Sequence, residues 1–170
     1  MTDASFAEGR EAPLRLRALD AEDLAVISAL VQDAVFPLGE MRYQRRRRRF
    51  AVLLNRFRWE DRAGAEARRR PYERVRSLLV VEDVLSAATQ GLDLSERDTV
   101  LSLLALDFAP GEDGAGRLTL TLAGDGAVAL EVECLEVSLR DVTRPYVAPS
   151  GKAPRHADPA PGSGSGASGS

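Results

Sequence analysis

An antiparallel α+β fold is predicted by three features of the chain. Short apolar–polar alternations recur along most of it, glycine-rich turns separate several of them, and too little helical periodicity lies between them for parallel crossovers. The expected form is a bent sheet or small barrel of about seven strands, with one N-terminal helix and a closing C-terminal helix. Its outline is similar to the pleckstrin-homology superfold.

Leu14, Leu16 and Ala18 alternate with Arg15 and Arg17, the period of a strand. Asp20 then reads as a helix N-cap, with Asp23 three positions on and Leu24, Ile27, Leu30, Val31 and Ala34 at helical spacing until Pro37 and Gly39. Glu40 to Gln44 and Arg48 to Trp59 form a hairpin with a basic tip. Phe50, Val52 and Leu54 lie on one face of its second strand and Leu53, Phe57 and Trp59 on the other, which makes that strand central and assigns Trp59 to the core. Asp61 to Pro71 is a long loop, and Arg74 to Val84 a strand continuing past a bend towards Gln90. Thr99 to Phe108 is another strand. Leu118, Leu120 and Leu122 alternate with Thr119 and Thr121, then Gly124, Asp125 and Gly126 turn the chain into Val128, Leu130, Val132 and Cys134. Leu135, Leu139 and Val142 stand at i, i+4 and i+7, a closing helix over 135–142; a continued strand is the rival reading.

Residues 13–146 form the expected single α+β domain, after a mobile N-terminus over 1–12. Between 144 and 170, twenty of 27 positions are Pro, Gly, Ser or Ala, so 147–170 reads as a disordered tail. No apolar run reaches the roughly 20 residues of a membrane-spanning helix, and Met1 to Arg10 hold no apolar leader segment. A cytoplasmic protein with no membrane partner is expected. One cysteine, Cys134, forms no internal disulfide, and with one histidine, His156, it cannot build a four-ligand zinc cage. No metal site, cofactor site or catalytic residue is assigned.

The net charge of −3 conceals an asymmetry. Residues 42–76 hold fourteen arginines against four acids, a net +10, and residues 77–142 hold thirteen acids against three arginines, a net −10. Of the 23 basic residues only Lys152 is lysine, which GC-rich coding explains as readily as guanidinium chemistry. Arg45, Arg46, Arg47, Arg48 and Arg49 at the hairpin tip, and Arg68, Arg69 and Arg70 in the loop, are the candidate anion-binding residues, because guanidinium groups neutralise phosphates. A strand sends alternate arginines to opposite faces, so five in a row make no continuous stripe unless a turn splays them. Pairing with the acidic half is the alternative. Cys134 reads as a buried, inert thiol, and Asp93, Glu96 and Asp98 as a capping turn around Ser95. His156 lies in the tail, where nothing holds it against a nucleophile, so any Ser–His or Cys–His mechanism lacks its base.

The run Arg49–Glu60 (RFAVLLNRFRWE), followed by Arg76–Val84 (RSLLVVEDV), resembles an alphaproteobacterial family of uncharacterised proteins catalogued as a domain of unknown function. The resemblance spans Leu14 to Tyr146 and carries no assigned catalytic residues. With no nucleophile–base pair, metal set or phosphate loop in the sequence, a non-enzymatic cytoplasmic binding or interaction module is the leading expectation, its partner unknown, with a protein ahead of nucleic acid among the candidates. A nucleic-acid or phosphate binder using the arginine-rich hairpin and an enzyme with a carboxylate-based site are the alternatives.

Overall fold

The computed structural model describes residues 12–147. The expected mobile N-terminus and tail lie outside the described residues except for Ala12 and Val147, and Val147 pairs with Glu73. In chain order the elements are β1 (Arg15–Ala18), α1 (Ala21–Leu30), β2 (Val35–Pro37), β3 (Met41–Gln44), β4 (Arg49–Phe57) and α2 (Arg62–Ala67). There follow β5 (Glu73–Val81), β6 (Val84–Gln90), β7 (Val100–Pro110), β8 (Gly116–Leu122), β9 (Ala127–Val132), β10 (Val137–Asp141) and β11 (Tyr146–Val147). Among the described residues, no helix is long and apolar enough to cross a membrane.

These strands make one antiparallel sheet in the order β1-β10-β5-β4-β2-β7-β8-β9-β6, with β3 also on β4 and β11 also on β5. The sheet does not close into a barrel, and eleven strands replace the expected seven. Two further corrections concern helices. Residues 137–141 are strand, not a closing helix, and with that helix goes the feature on which the pleckstrin-homology outline rested. Val137 and Leu139 alternate into the core against Val81 and Leu79 of β5, while Leu135, which completed the helical spacing, sits in the turn before them. The expected loop over 61–71 contains α2, with Ala65 buried beneath it.

Helix α1 begins where expected: the Asp20 carboxylate accepts from the Asp23 N–H at 2.8 Å. It lies against β1 and β7, burying Leu24 and Ile27. A register shift between Leu103 and Ala105 interrupts the β7–β8 ladder, and the Ser28 hydroxyl on α1 accepts from the Leu106 N–H at 2.9 Å. That bond satisfies a donor beside the bulge.

The core is the inner face of the sheet. Phe50, Val52 and Leu54 of β4, Leu79 and Val81 of β5, Leu118, Leu120 and Leu122 of β8, and Val128, Leu130 and Val132 of β9 belong to one cluster with α1. Phe57 is fully buried apart from it, edge-on to Trp59 at 4.6 Å between ring centroids. Trp59 is only half-buried, and its indole N–H donates to the Gln32 carbonyl at 3.0 Å. Leu54 lies at the crossing of β4 with β5, 0% exposed. Leu54→Ala is expected to cost about 2–5 kcal/mol, measured as a fall in urea midpoint at unchanged m-value.

Candidate functional site

The two arginine groups singled out in the sequence do not converge. Arg45, Arg46 and Arg47 form a single 3₁₀ turn between β3 and β4, and Arg48 follows in the left-handed region at φ 52°. Three residues per turn send the three side chains about 120° apart, so they splay from an exposed tip. Arg48 pairs with Glu133 at 3.1 Å and Arg49 with Glu82 at 2.8 Å, both acids of the negative half. Arg68, Arg69 and Arg70 follow α2 beyond the opposite end of β4, whose Arg49 and Phe57 stand about 26 Å apart at strand rise. Arg68 and Arg69 are exposed, whereas Arg70 grips the Asp61 carboxylate with both terminal nitrogens and reaches Glu73 at 3.1 Å.

A different arginine holds the centre. Arg56 continues the inner row Phe50, Val52, Leu54 of β4 and is 0% exposed. Its Nε donates to the Ser77 hydroxyl at 2.9 Å, and its Nη2 donates to Asp141 at 2.9 Å and Glu60 at 2.8 Å. Ser77 in turn donates to Asp141 at 2.6 Å. Burial by itself would depress the Arg56 pKa, but the hydrogen bond and charge of Glu60, and then the charge and hydrogen bond of Asp141, hold it above its ordinary value. Asp141 also accepts the Leu14 N–H at 2.9 Å, tying the entry of β1 to the cluster.

Above it lies a cleft of about 350 Å³, with Arg58, Glu60, Asp61, Arg70, Asp141 and Arg144 on its walls. Arg58 stands within 3.4 to 3.8 Å of Glu73, Asp61 and Glu60. The carboxylates of the cleft are thus each engaged by a guanidinium group: Glu60 and Asp141 by Arg56, and Asp61 by Arg70. No group of three or more His, Cys, Asp or Glu side chains among the described residues is arranged to hold a metal ion.

The outer face of the β3-β4-β5-β10-β1 half carries another arrangement. Across it run two rows: Arg42, Ala51, Val80, Ser138, Arg17 and, beside them, Leu53, Leu78, Arg140, Arg15. A third places Val35, Asn55 and Arg76 together. Leu53, Leu78 and Val80 are half-buried, Val142 is 45% exposed, and neither α1 nor α2 covers them. Arg15, Arg42, Arg76 and Arg140 are exposed without an ion-pair partner among the described residues, while Arg17 meets Glu136 at 3.1 Å. A depression of about 240 Å³, floored by Val35, Leu53 and Leu54 and edged by Pro37, Val100, Glu40 and Arg76, opens on the same face. Sequence reasoning missed this surface, because its arginines are scattered from 15 to 140 and only strand register assembles them.

Two smaller expectations are corrected. Cys134 is exposed, not buried, and its thiol donates to Asp83 at 3.0 Å. Asp93 caps the turn before β7, accepting from the Ser95 N–H at 3.0 Å, in place of the Ser95 cap.

An open antiparallel sheet with two short helices and an arginine–carboxylate cluster buried at one end is thus what fold and site define. The chain belongs to DUF2948, a family of proteins of unknown function, whose model matches residues 14–156. Comparison with curated proteins finds no match, and comparison with solved structures finds none.

Removing Arg56 alone strands Asp141 in the interior: Arg56→Met is expected to cost about 3–5 kcal/mol, while adding Asp141→Leu to it restores part of that loss, read from paired urea melts. The hydrogen bond to Asp83, then slight desolvation and the negative charge of Asp83, Glu136 and Glu133, raise the Cys134 pKa. Iodoacetamide at about pH 8.5 should therefore alkylate Cys134 more slowly than a free cysteine, and Asp83→Asn should speed the reaction.

Proposed function

We propose that this protein is a non-enzymatic interaction module whose docking surface is the open outer face of the β3-β4-β5-β10-β1 sheet. One observation carries the reading: Arg15 and Arg140 face each other directly across β1 and β10, both exposed and without a carboxylate partner among the described residues. Like charges in opposed positions destabilise a sheet, so folding alone gives no reason for the pair. A partner that supplies carboxylates does.

The partner that fits is a protein surface with an aliphatic centre rimmed by Asp or Glu. Its apolar anchor enters the depression at Leu53 and Val35, and its carboxylates meet Arg76, Arg140, Arg15 and Arg42. The rows described carry no aromatic ring, the group on which unpaired bases stack, which weighs against nucleic acid as occupant. The cleft's saturated carboxylates weigh against a carboxylate enzyme.

Peptide display against the immobilised full chain tests the reading. Enriched sequences should place Asp or Glu around a Leu, Ile or Phe, and their affinity should drop about tenfold in an Arg76→Glu, Arg140→Glu variant, at about 1 kcal/mol or less for each rim charge. Enrichment without acids, or equal binding by the variant, would overturn it. A mixed RNA pool is the second arm. Salt-sensitive, sub-micromolar binding abolished by Arg45→Glu, Arg46→Glu and Arg47→Glu would assign the arginine hairpin to nucleic acid instead.

A further inference from the structure

The two terminal strands of the sheet are built differently. At one end β1 alternates Arg15 and Arg17 with Leu16 and Ala18, and charge along an edge discourages further pairing. At the other end β6 runs Val84, Leu85, Ser86, Ala87, Ala88, Thr89, Gln90, with no charge, proline or glycine. Leu85 through Gln90 are all exposed. Among the described residues β9 is the only strand that pairs with β6, and apart from the Val84 N–H, which donates to the Arg48 carbonyl at 2.8 Å, its free side meets no backbone partner.

The inner face is also unfinished there. Leu130 and Val128 of β9 are at most 1% exposed, yet Ala87 and Thr89, their neighbours across the ladder, stand in solvent. Val84 closes the core at the start of β6, and from Leu85 onward the strand is a bare rim of mostly small side chains.

We propose that β6 is a self-association edge, on which a second copy of this chain lays its own β6 antiparallel. A two-fold axis through Ala87 sets Ala87 against Ala87, Ser86 against Ala88 and Leu85 against Thr89. These pairs oppose no like charges and no two bulky groups. Beside the edge Glu131 is paired with Arg117 and Glu133 with Arg48, and Asp83 accepts the Cys134 thiol, while the exposed Arg45–Arg47 turn lies at the Val84 end; the two-fold sets the two turns at opposite ends of the seam, so like charges do not meet across it. Beyond the irregularity between Val84 and Ser86, an uncharged edge presents its outward N–H and C=O groups to the incoming strand, and an identical strand matches it in length and side-chain size. In strand order β6 is the opposite end from β1, and although its Val84 end lies beside the Arg45–Arg47 turn, the edge uses none of the residues of the arginine-flanked face, so the inference stands independently of the partner proposed above.

Sedimentation velocity on the full chain, diluted from about 200 μM to about 1 μM, reads the equilibrium. The expected result is a concentration-dependent doubling of mass. Ser86→Lys with Ala88→Lys places lysines opposite one another in the seam and should leave a monomer across the whole range. Hydrogen exchange on the unmodified chain provides a readout that does not depend on the variant folding: amides within 85–90 should gain protection at high concentration relative to low. A monomer at every concentration, a doubly substituted chain that folds and still dimerises, or exchange in 85–90 independent of concentration would each overturn the proposal, as would a monomer that binds only extended peptides.

Discussion

The buried guanidinium of Arg56 is the constraint around which one end of the sheet is arranged. It occupies the fourth place in an inner row that otherwise reads Phe50, Val52, Leu54, where a charge left alone would be forbidding. Neighbouring strands answer it one inward position back: Ser77, between Val75 and Leu79 in the inner row of β5, stands opposite Leu54, and Asp141, which ends the row of Val137 and Leu139 on β10, stands opposite Ser77. Glu60 closes the fourth side from the turn after β4. Because Asp141 also holds the Leu14 N–H, and its own N–H donates to the Leu14 carbonyl at 2.9 Å, β1 enters the sheet in register with the same cluster. A one-residue slip of β4, β5 or β10 would turn its member of the set to the outer face and leave the others buried without it. The cluster thus favours one register more sharply than aliphatic rows alone could.

Much of this fold could be read from residue order, and the failures have physical causes. Both-face apolarity correctly made β4 a central strand, and the Asp20 cap and the β8–β9 hairpin followed from local chemistry that tertiary contacts reinforce. The closing helix failed because a strand preceded by a buried turn residue reproduces i, i+4, i+7: Leu135 is buried in the turn, and Leu139 is buried two places along the ladder from Val137. Among fourteen arginines within 42–76, Arg56 reads as one more flank of the basic hairpin, and its burial is not apparent. Parity with Phe50, Val52 and Leu54 was the available signal, since an arginine two places beyond three inward residues must itself point inward unless the strand ends.

Charge distribution shows the same dependence on register. The opposed +10 and −10 segments do meet, through Arg48 with Glu133, Arg49 with Glu82 and Arg56 with Asp141. Other arginines of the basic segment find acids inside it: Arg58 and Arg70 share Asp61 and Glu73, and Arg62 takes Glu66. What remains without a carboxylate on the outer face, among the described residues, comes from four separate strands, Arg15, Arg42, Arg76 and Arg140. A contiguous run such as Arg45 to Arg49 attracts attention in a sequence, yet the strands arrange a broader positive surface from residues up to 125 positions apart.

The depression on that surface follows from the shortest link in the sheet. β2 has three residues and alone joins β4 to β7, with Val35 pairing to Asn55 on one side and Ser102 on the other. Phe36 points inward and is 2% exposed, anchoring the link in the core. Pro37 has no N–H to offer, and pairing with β4 goes no further than Val35, although pairing with β7 continues to Val100. Beyond that point the ladder to β4 lapses, and the gap left between Leu53 and Val100 is the depression. A longer β2 would close the sheet more tightly and remove the concavity. The feature that gives the outer face its shape is thus the same three-residue strand that holds the two halves of the sheet in one core.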